Sequence, residues 1–301
     1  MSFSCRASCH PLCTRDKRRW CVVVGFLVVL WGTGEVVPHA RADEIFADGF
    51  ETANPLAWSA WPGWIWSPAP GALWQWQIDG ETVDTSFEVE MYDIDLFETP
   101  ESTIRGLRPE RVVICYFSAG SWENWRPDAN QFPAEVLGNA LDGWPGERWL
   151  DIRNLAVLGP IMEARLDLAV AKGCLGVEPD NVDGYSNESG FPLTSADQLA
   201  YNRFLATAAH ARGLSIGLKN DLAQVVELLP DFDWALNEEC FSFNECALLS
   251  PFVAGGKAVF GVEYELEPAD FCEAANSAGF SFQKKNWDLD PWRFDCLVDW
   301  P

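Results

Sequence analysis

Residues 160–185 read PIMEARLDLAVAKGCLGVEPDNVDGY. The first half has the composition of a helix, with Pro160 placed to open it and Gly173 to close it. Gly176–Asp180 follows as a short strand. Glu178, Asp180, Asn181 and Asp183 gather where that strand ends. A helix that delivers a strand with a polar, carboxylate-rich end is the repeating unit of a parallel α/β fold.

The same alternation extends in both directions. Strand-like runs occur at Leu73–Ile78, Val89–Asp95, Val112–Phe117, Trp149–Ile152, Leu214–Leu218, Trp234–Asn237, Ala258–Tyr264 and Phe280–Lys284. Helix-like segments separate most of them, one with Ser195 as N-cap and Gln198 at N3, ending at Gly213. With 301 residues, a (β/α)8 TIM barrel is the leading fold, ahead of a doubly wound open sheet. Counting Gly176–Asp180, nine runs compete for eight places, and Ile78–Val89 is too short for a crossover helix. Either Leu73–Ile78 or Trp149–Ile152 therefore lies outside the barrel.

Residues 1–42 read as a signal peptide. Arg15, Lys17, Arg18 and Arg19 precede an apolar run of 13 residues, Trp20–Gly32, shorter than the ~20 a spanning helix needs. Ala40-Arg41-Ala42 is an A-x-A cleavage site. Residues 43–70 form a Trp/Pro-rich leader, and 71–301 the (β/α)8 domain. Cleavage leaves six cysteines, and an even number in an exported chain indicates disulfides, with Cys240–Cys246 and Cys272–Cys296 as the local pairings. The expected location is secreted or periplasmic, with no membrane association after cleavage. The expected state is a monomer.

The formal net charge is −24. The signal segment carries six Lys/Arg and two acids, so its removal leaves −28. Such acidity excludes nucleic acid and anionic membrane surfaces as partners. One histidine remains after cleavage, His210, in the last turn of a helix, where it suits the helix dipole. That excludes a serine triad and a His-ligated zinc site. No phosphate loop is present. The loop after Glu178 resembles a calcium loop but has Val182 where an oxygen ligand is required. No metal or cofactor is expected.

In a barrel, chemistry collects at the C-terminal strand ends. Here those ends carry Asp93, Asp95, Asp151, Glu178, Asp180, Asp183, Lys219, Asn220, Asp221, Glu238, Glu239, Glu263 and Glu265. Carboxylates in differing environments can divide acid and base roles, as glycoside hydrolysis requires. The chain also has 16 tryptophans, whose faces suit sugar rings; Trp76 and Trp122 are cleft candidates.

The segments MYDIDLFETP (91–100), VICYFSAGSWENWRPD (113–128), WPGERWLDIR (144–153), GLKNDLAQ (217–224), FDWALNEECF (232–241) and FGVEY (260–264), with the 160–185 stretch, resemble glycoside hydrolase family 114. This is the endo-α-1,4-polygalactosaminidase family, related to spherulin-4-like proteins. The resemblance spans about residues 73–290. It implies a (β/α)8 barrel that hydrolyses α-1,4-linked galactosamine in exopolysaccharide. It also implies a catalytic pair, Asp180 and Glu238, at the fourth and sixth barrel strands. That placement implies a retaining reaction with Asp180 as nucleophile and Glu238 as acid/base, Glu178 and Glu239 being the fallback pair. On a regular strand, Glu238 and Glu239 face opposite sides.

Strand-end position assigns Asp93, Tyr116, Asp151, Asp183, Tyr185, Lys219, Asn220 and Tyr264 to substrate binding. Lys219 would repel an amino sugar unless it pairs with a carboxylate such as Asp180, which would keep that nucleophile ionised. The expected partner is a cationic galactosamine-containing polysaccharide, drawn to an acidic cleft. A non-catalytic carbohydrate-binding barrel and a hydrolase of another α-linked glycan are the alternatives.

Overall fold

The structure is a computed structural model and describes residues 65–79, 82–108 and 110–301. The expected signal segment, 1–42, and most of the leader lie outside the described residues. From Trp66 onward the leader is part of the barrel's packing. Trp66 is buried in the inner core, and Pro68 accepts a backbone hydrogen bond from Ala258.

Twelve strands are described: β1 (Trp74–Gln77), β2 (Met91–Asp95), β3 (Val112–Ser118), β4 (Ser121–Glu123), β5 (Leu137–Ala140), β6 (Glu147–Leu150), β7 (Gly176–Asp180), β8 (Ser215–Lys219), β9 (Trp234–Glu238), β10 (Val259–Glu263), β11 (Ser281–Lys285) and β12 (Arg293–Asp295). The α-helices are α1 (Glu101–Leu107), α2 (Leu155–Lys172), α3 (Ser195–His210), α4 (Val225–Leu228), α5 (Ser250–Ala254) and α6 (Pro268–Ala278).

Strands β1, β2, β3, β7, β8, β9, β10 and β11 pair in that order, all parallel, and β12 adds antiparallel to β11. This is a (β/α)8 barrel with one extra strand at its seam. Side chains close the ring. Gln283 Nε2 donates to Trp74 O at 2.7 Å, Trp74 Nε1 donates to Ser281 O at 3.0 Å, and the Arg293 guanidinium also reaches Trp74 O. Among the described residues, no helix separates β1 from β2.

The ninth strand-like run is therefore resolved: Leu73–Ile78 supplies the first barrel strand, and Trp149 lies outside. Trp149 belongs to a separate antiparallel sheet, β4-β6-β5, inserted between β3 and α2. The Cys115–Cys174 disulfide straddles this insertion, with 59 residues of sequence separation; closing a loop of that length contributes about 4 kcal/mol in the chain-entropy model. Cys240–Cys246 and Cys272–Cys296 are also bonded.

Two helix boundaries differ from the sequence reading. The α3 capping box uses Thr194 and Asp197, one residue earlier than expected, because Thr194 has the extended backbone an N-cap needs. Pro160 lies inside α2 rather than at its start, since an extra turn from Leu155 precedes it; Gly173 caps the helix in the left-handed region.

Strand residues alternate between two cores. Outward side chains pack under the helices, while Trp74, Trp76, Met91, Ile114, Trp234 and Phe260 fill the barrel interior. Trp234 needs glycine opposite: a Cβ on Gly217 would stand 2.3 Å from its ring. The same period-2 alternation that points Gly217 inward points Lys219 inward above it, and likewise Glu178 and Asp180 above Gly176.

Candidate active site

Asp180 ends the fourth parallel strand, Lys219 the fifth and Glu238 the sixth. Lys219 Nζ lies 3.1 Å from Glu178 Oε1, 3.1 Å from Asp180 Oδ1 and 3.2 Å from Glu238 Oε2. One ammonium thus joins three carboxylates. It sits 4.8 Å from the centroid of the buried Trp76 ring, a cation–π contact from below. Asp180 and Glu238 oxygens on this nitrogen can be no farther apart than the sum of their two distances, 6.3 Å.

Each carboxylate has its own donors. Tyr116 Oη donates to Asp180 Oδ2 at 3.0 Å. Asn220 Nδ2 donates to Glu238 Oε2 at 3.2 Å, and Tyr264 Oη donates to Oε1. Asn220 Oδ1 accepts from Asn237 Nδ2 at 3.1 Å and from the Glu238 backbone N–H at 3.0 Å, which fixes its amide orientation.

Asp93 and Glu178 are fully buried below this layer. Neither Asp93 oxygen nor Glu178 Oε2 has a donor. Burial, then the neighbouring Glu178, pushes the Asp93 carboxyl well up, so one shared proton between the two satisfies both.

The cleft above has a volume of about 1770 Å³ and is lined by fifteen carboxylates against two cations, Arg126 and Lys219. Arg126 is spent on Asp95 and Glu123, both within 2.8 Å. Tyr116, Asp180, Asp183, Tyr185, Lys219, Asn220, Glu238 and Tyr264 all line it. Three expected positions do not. Asp93 lies beneath the floor. Asp151 is not among the lining residues, and both its oxygens are taken by Arg153 at 2.7 and 2.8 Å. Trp122 packs against the outer core and donates its indole N–H to Ala129 O.

Glu239 lines the cleft beside Glu238, because the strand ends at Glu238 and Glu239 turns into the left-handed region with φ 63°. Trp287 and Glu147 are lining residues that the sequence reading did not single out, and Asp221, read there only as a strand-end carboxylate, lines the cleft with them. Trp287 is 51% exposed and stacks on Tyr264 with ring centroids 4.1 Å apart, giving a flat apolar face beside Glu238. Its place just after β11 is a strand-end signal of the kind that identified the others.

Burial raises several of these carboxyls: Glu178 and Glu147 to about 7, Asp183 to about 6 and Asp221 to about 8. The folded state keeps protons that the unfolded chain releases near pH 4. Their stabilising contribution is full below that and is lost as pH rises through the folded values, between about 6 and 8. Thermal melts are expected to show a midpoint several degrees higher at pH 5 than at pH 8. A midpoint that rises over that interval contradicts this.

Comparison with known proteins now defines the class. A family model described as glycoside hydrolase family GH114 matches residues 55–299. The chain belongs to that family and is a glycosidase. A crystal structure of Aspergillus fumigatus Ega3 in complex with galactosamine superimposes with a TM-score of 0.74. Its sequence is 46% identical, and the match covers 77% of this chain and 97% of that one. The glycoside hydrolase domain of PelA from Pseudomonas aeruginosa shares the fold at TM-score 0.59 and 12% identity, over 74% of this chain and 97% of that one. An uncharacterized protein of Deinococcus radiodurans is 28% identical over 250 residues, covering 70% of this chain and 79% of that one. Among the described residues, no helix is long and apolar enough to cross a membrane.

Proposed function

We propose that this protein is an endo-acting glycoside hydrolase that cleaves α-1,4-linked galactosamine polymers with retention, using Asp180 as nucleophile and Glu238 as general acid/base. The observation that carries the reading is the shared Lys219 contact. Its 6.3 Å limit on the two oxygens is below the ~6.5–9.5 Å that an inverting enzyme needs for an intervening water. At a near-tetrahedral angle on nitrogen the separation is ~5 Å, the retaining value.

In the first step Asp180 attacks the anomeric carbon, the glycosidic C–O bond breaks, and Glu238 gives its proton to the departing oxygen. In the second, Glu238 takes a proton from water, whose oxygen attacks the same carbon and releases Asp180. Two inversions give net retention. Asp180 is the more enclosed of the pair, its side chain 19% exposed against 27% for Glu238.

The acidic cleft supports a cationic substrate, and the Aspergillus neighbour's bound galactosamine supports the same sugar. A chain with three disulfides fits a secreted or periplasmic location. We also propose cleavage after Ala42, a leader that joins the barrel by Trp66, and action as a monomer.

The test is release of reducing ends from purified α-1,4-galactosaminan. Short oligomers are expected, in amounts that fall as salt rises and as acetylation of the polymer rises. No release by folded protein moves the reading to another α-linked glycan or to a binding barrel. Salt-insensitive cleavage that favours fully acetylated polymer removes the charge argument.

A further inference from the structure

We propose that the inserted sheet carries a distal binding site for the substrate polymer, in which Trp125 and Trp144 form an aromatic platform that stacks on galactosamine units beyond the one held at Asp180. This rests on the galactosaminan reading above and adds to it a surface that makes cleavage depend on chain length.

The exposed aromatic rings are not scattered. Among the described residues five large aromatic side chains are exposed, and four of them, Trp125, Trp144, Phe243 and Trp287, line the cleft. Single exposed apolar residues need no explanation, but their concentration in one concave surface marks a binding site. Phe243 follows β9 and Trp287 follows β11, the sixth and eighth barrel strands, whereas Trp125 and Trp144 belong to the insertion between the third and fourth. In strand order the catalytic pair, on the fourth and sixth, falls between the insertion and the other two rings. The cleft volume of about 1770 Å³ exceeds the ~300–1,000 Å³ of a site for one drug-sized ligand, which leaves room for several sugar units.

The platform is built in advance of any ligand. Trp125 is 47% and Trp144 54% exposed, yet both are held from behind. The Asn124 backbone N–H donates to Gly146 O at 3.1 Å, and the Trp125 ring lies over Gly146, where a Cβ would stand 3.0 Å from the indole Cζ3. Trp144 sits in the turn between β5 and β6. Its N–H donates to Leu141 O at 3.3 Å, its carbonyl accepts from the Glu147 N–H at 3.1 Å, and Pro145 restricts its backbone. Glu147 ties this turn to the nucleophile strand. Its Oε2 accepts from Ser121 Oγ at 2.6 Å, Ser121 Oγ lies 2.6 Å from Ser118 Oγ, and Asn181, next to Asp180, donates from Nδ2 to Ser118 Oγ at 2.9 Å. Ser118, Ser121 and Glu147 are all buried. A hydrogen-bonded path therefore fixes the insertion relative to Asp180, and little ordering remains to be done when a sugar stacks on its rings.

An amino sugar suits this surface. The axial O4 of galactosamine leaves the hydrogens of C3, C4 and C5 on one apolar face, which stacks on indole, and its ammonium is attracted by the ring as well. Asp142 and Glu147, from the same hairpin as Trp144, also line the cleft. The experiment measures kcat/KM on an α-1,4-galactosamine trimer and octamer. Wild type is expected to favour the octamer by about tenfold or more. Trp144→Ala is expected to cut that advantage at least about threefold, and the double variant with Trp125→Ala to remove most of it. If loss of Trp125 disturbs the hairpin through Gly146, Trp144→Ala alone carries the test. Equal loss on the two oligomers, an unchanged ratio in folded variants, or a wild type indifferent to length overturns the platform and leaves the hydrolase reading standing. Cleavage of neither oligomer by folded wild type overturns both.

Discussion

Asp180→Asn is expected to lower kcat on α-1,4-galactosaminan by about 10⁴-fold or more, and Glu238→Gln by about 10²–10⁴-fold, with folding intact in both. The asymmetry follows from the chemistry. Without Asp180 no covalent intermediate forms. Without the Glu238 proton, a good enough leaving group can still depart. The alanine variants separate the roles further. In Glu238→Ala, added azide can attack the glycosyl–enzyme and give a glycosyl azide with the substrate's anomeric configuration. In Asp180→Ala, azide can replace the nucleophile and give the opposite configuration. Nuclear magnetic resonance of the products distinguishes the two. A reversed pattern exchanges the assignments, and an inverted anomer as the first wild-type product removes the retaining mechanism altogether.

The barrel was legible because its strands are short, buried and spaced by helix-forming segments, and because inward residues recur with period two. That alternation alone places Glu178 with Asp180, and Gly217 with Lys219, on one face. The inserted sheet was not legible. Its strands have three or four residues, and their pairing depends on contacts made across the chain. Trp149–Ile152 therefore stood beside Leu73–Ile78 as one of two runs that could lie outside the barrel, with nothing in the sequence to choose between them. Asp151 was misplaced for the same reason: it sits at the end of an insertion strand, where Arg153 takes its charge. Exposure was not readable either. Trp122 and Trp287 are alike in composition, yet one packs on the core and the other faces the cleft. The sequence showed that Lys219 needs an acidic partner; that it has three depends on strand register. Lys219 stands opposite Leu236 across β8–β9, and Ser118 opposite Asp180 across β3–β7.

Lys219→Met is expected to destabilise the fold by about 3–5 kcal/mol at pH 8, the range for a buried ion pair stripped of one partner, and to lower kcat/KM by at least about 10²-fold. Its side chain is 3% exposed, and methionine retains most of its volume, so packing over Trp76 is largely kept and charge is the main loss. Glu178, Asp180 and Glu238 then share a low-dielectric space without a cation. They relieve it by binding protons, which neutralises the nucleophile. Attraction by the three carboxylates holds the Lys219 ammonium well above the usual lysine range despite burial. A raised cation contributes fully below its unfolded value and is lost only as pH rises through the folded one. Wild type therefore keeps this contribution throughout pH 5–9. In the variant the carboxyls carry raised values, so its stability falls as pH rises through them. The deficit between wild type and variant must be small at pH 5 and largest at pH 8. Urea unfolding at the two pH values measures it. A deficit that does not change with pH would show that Lys219 acts through packing rather than charge. Lys219→Arg tests geometry separately: it keeps the charge but replaces a compact ammonium with a planar fork, so more stability than activity should be recovered.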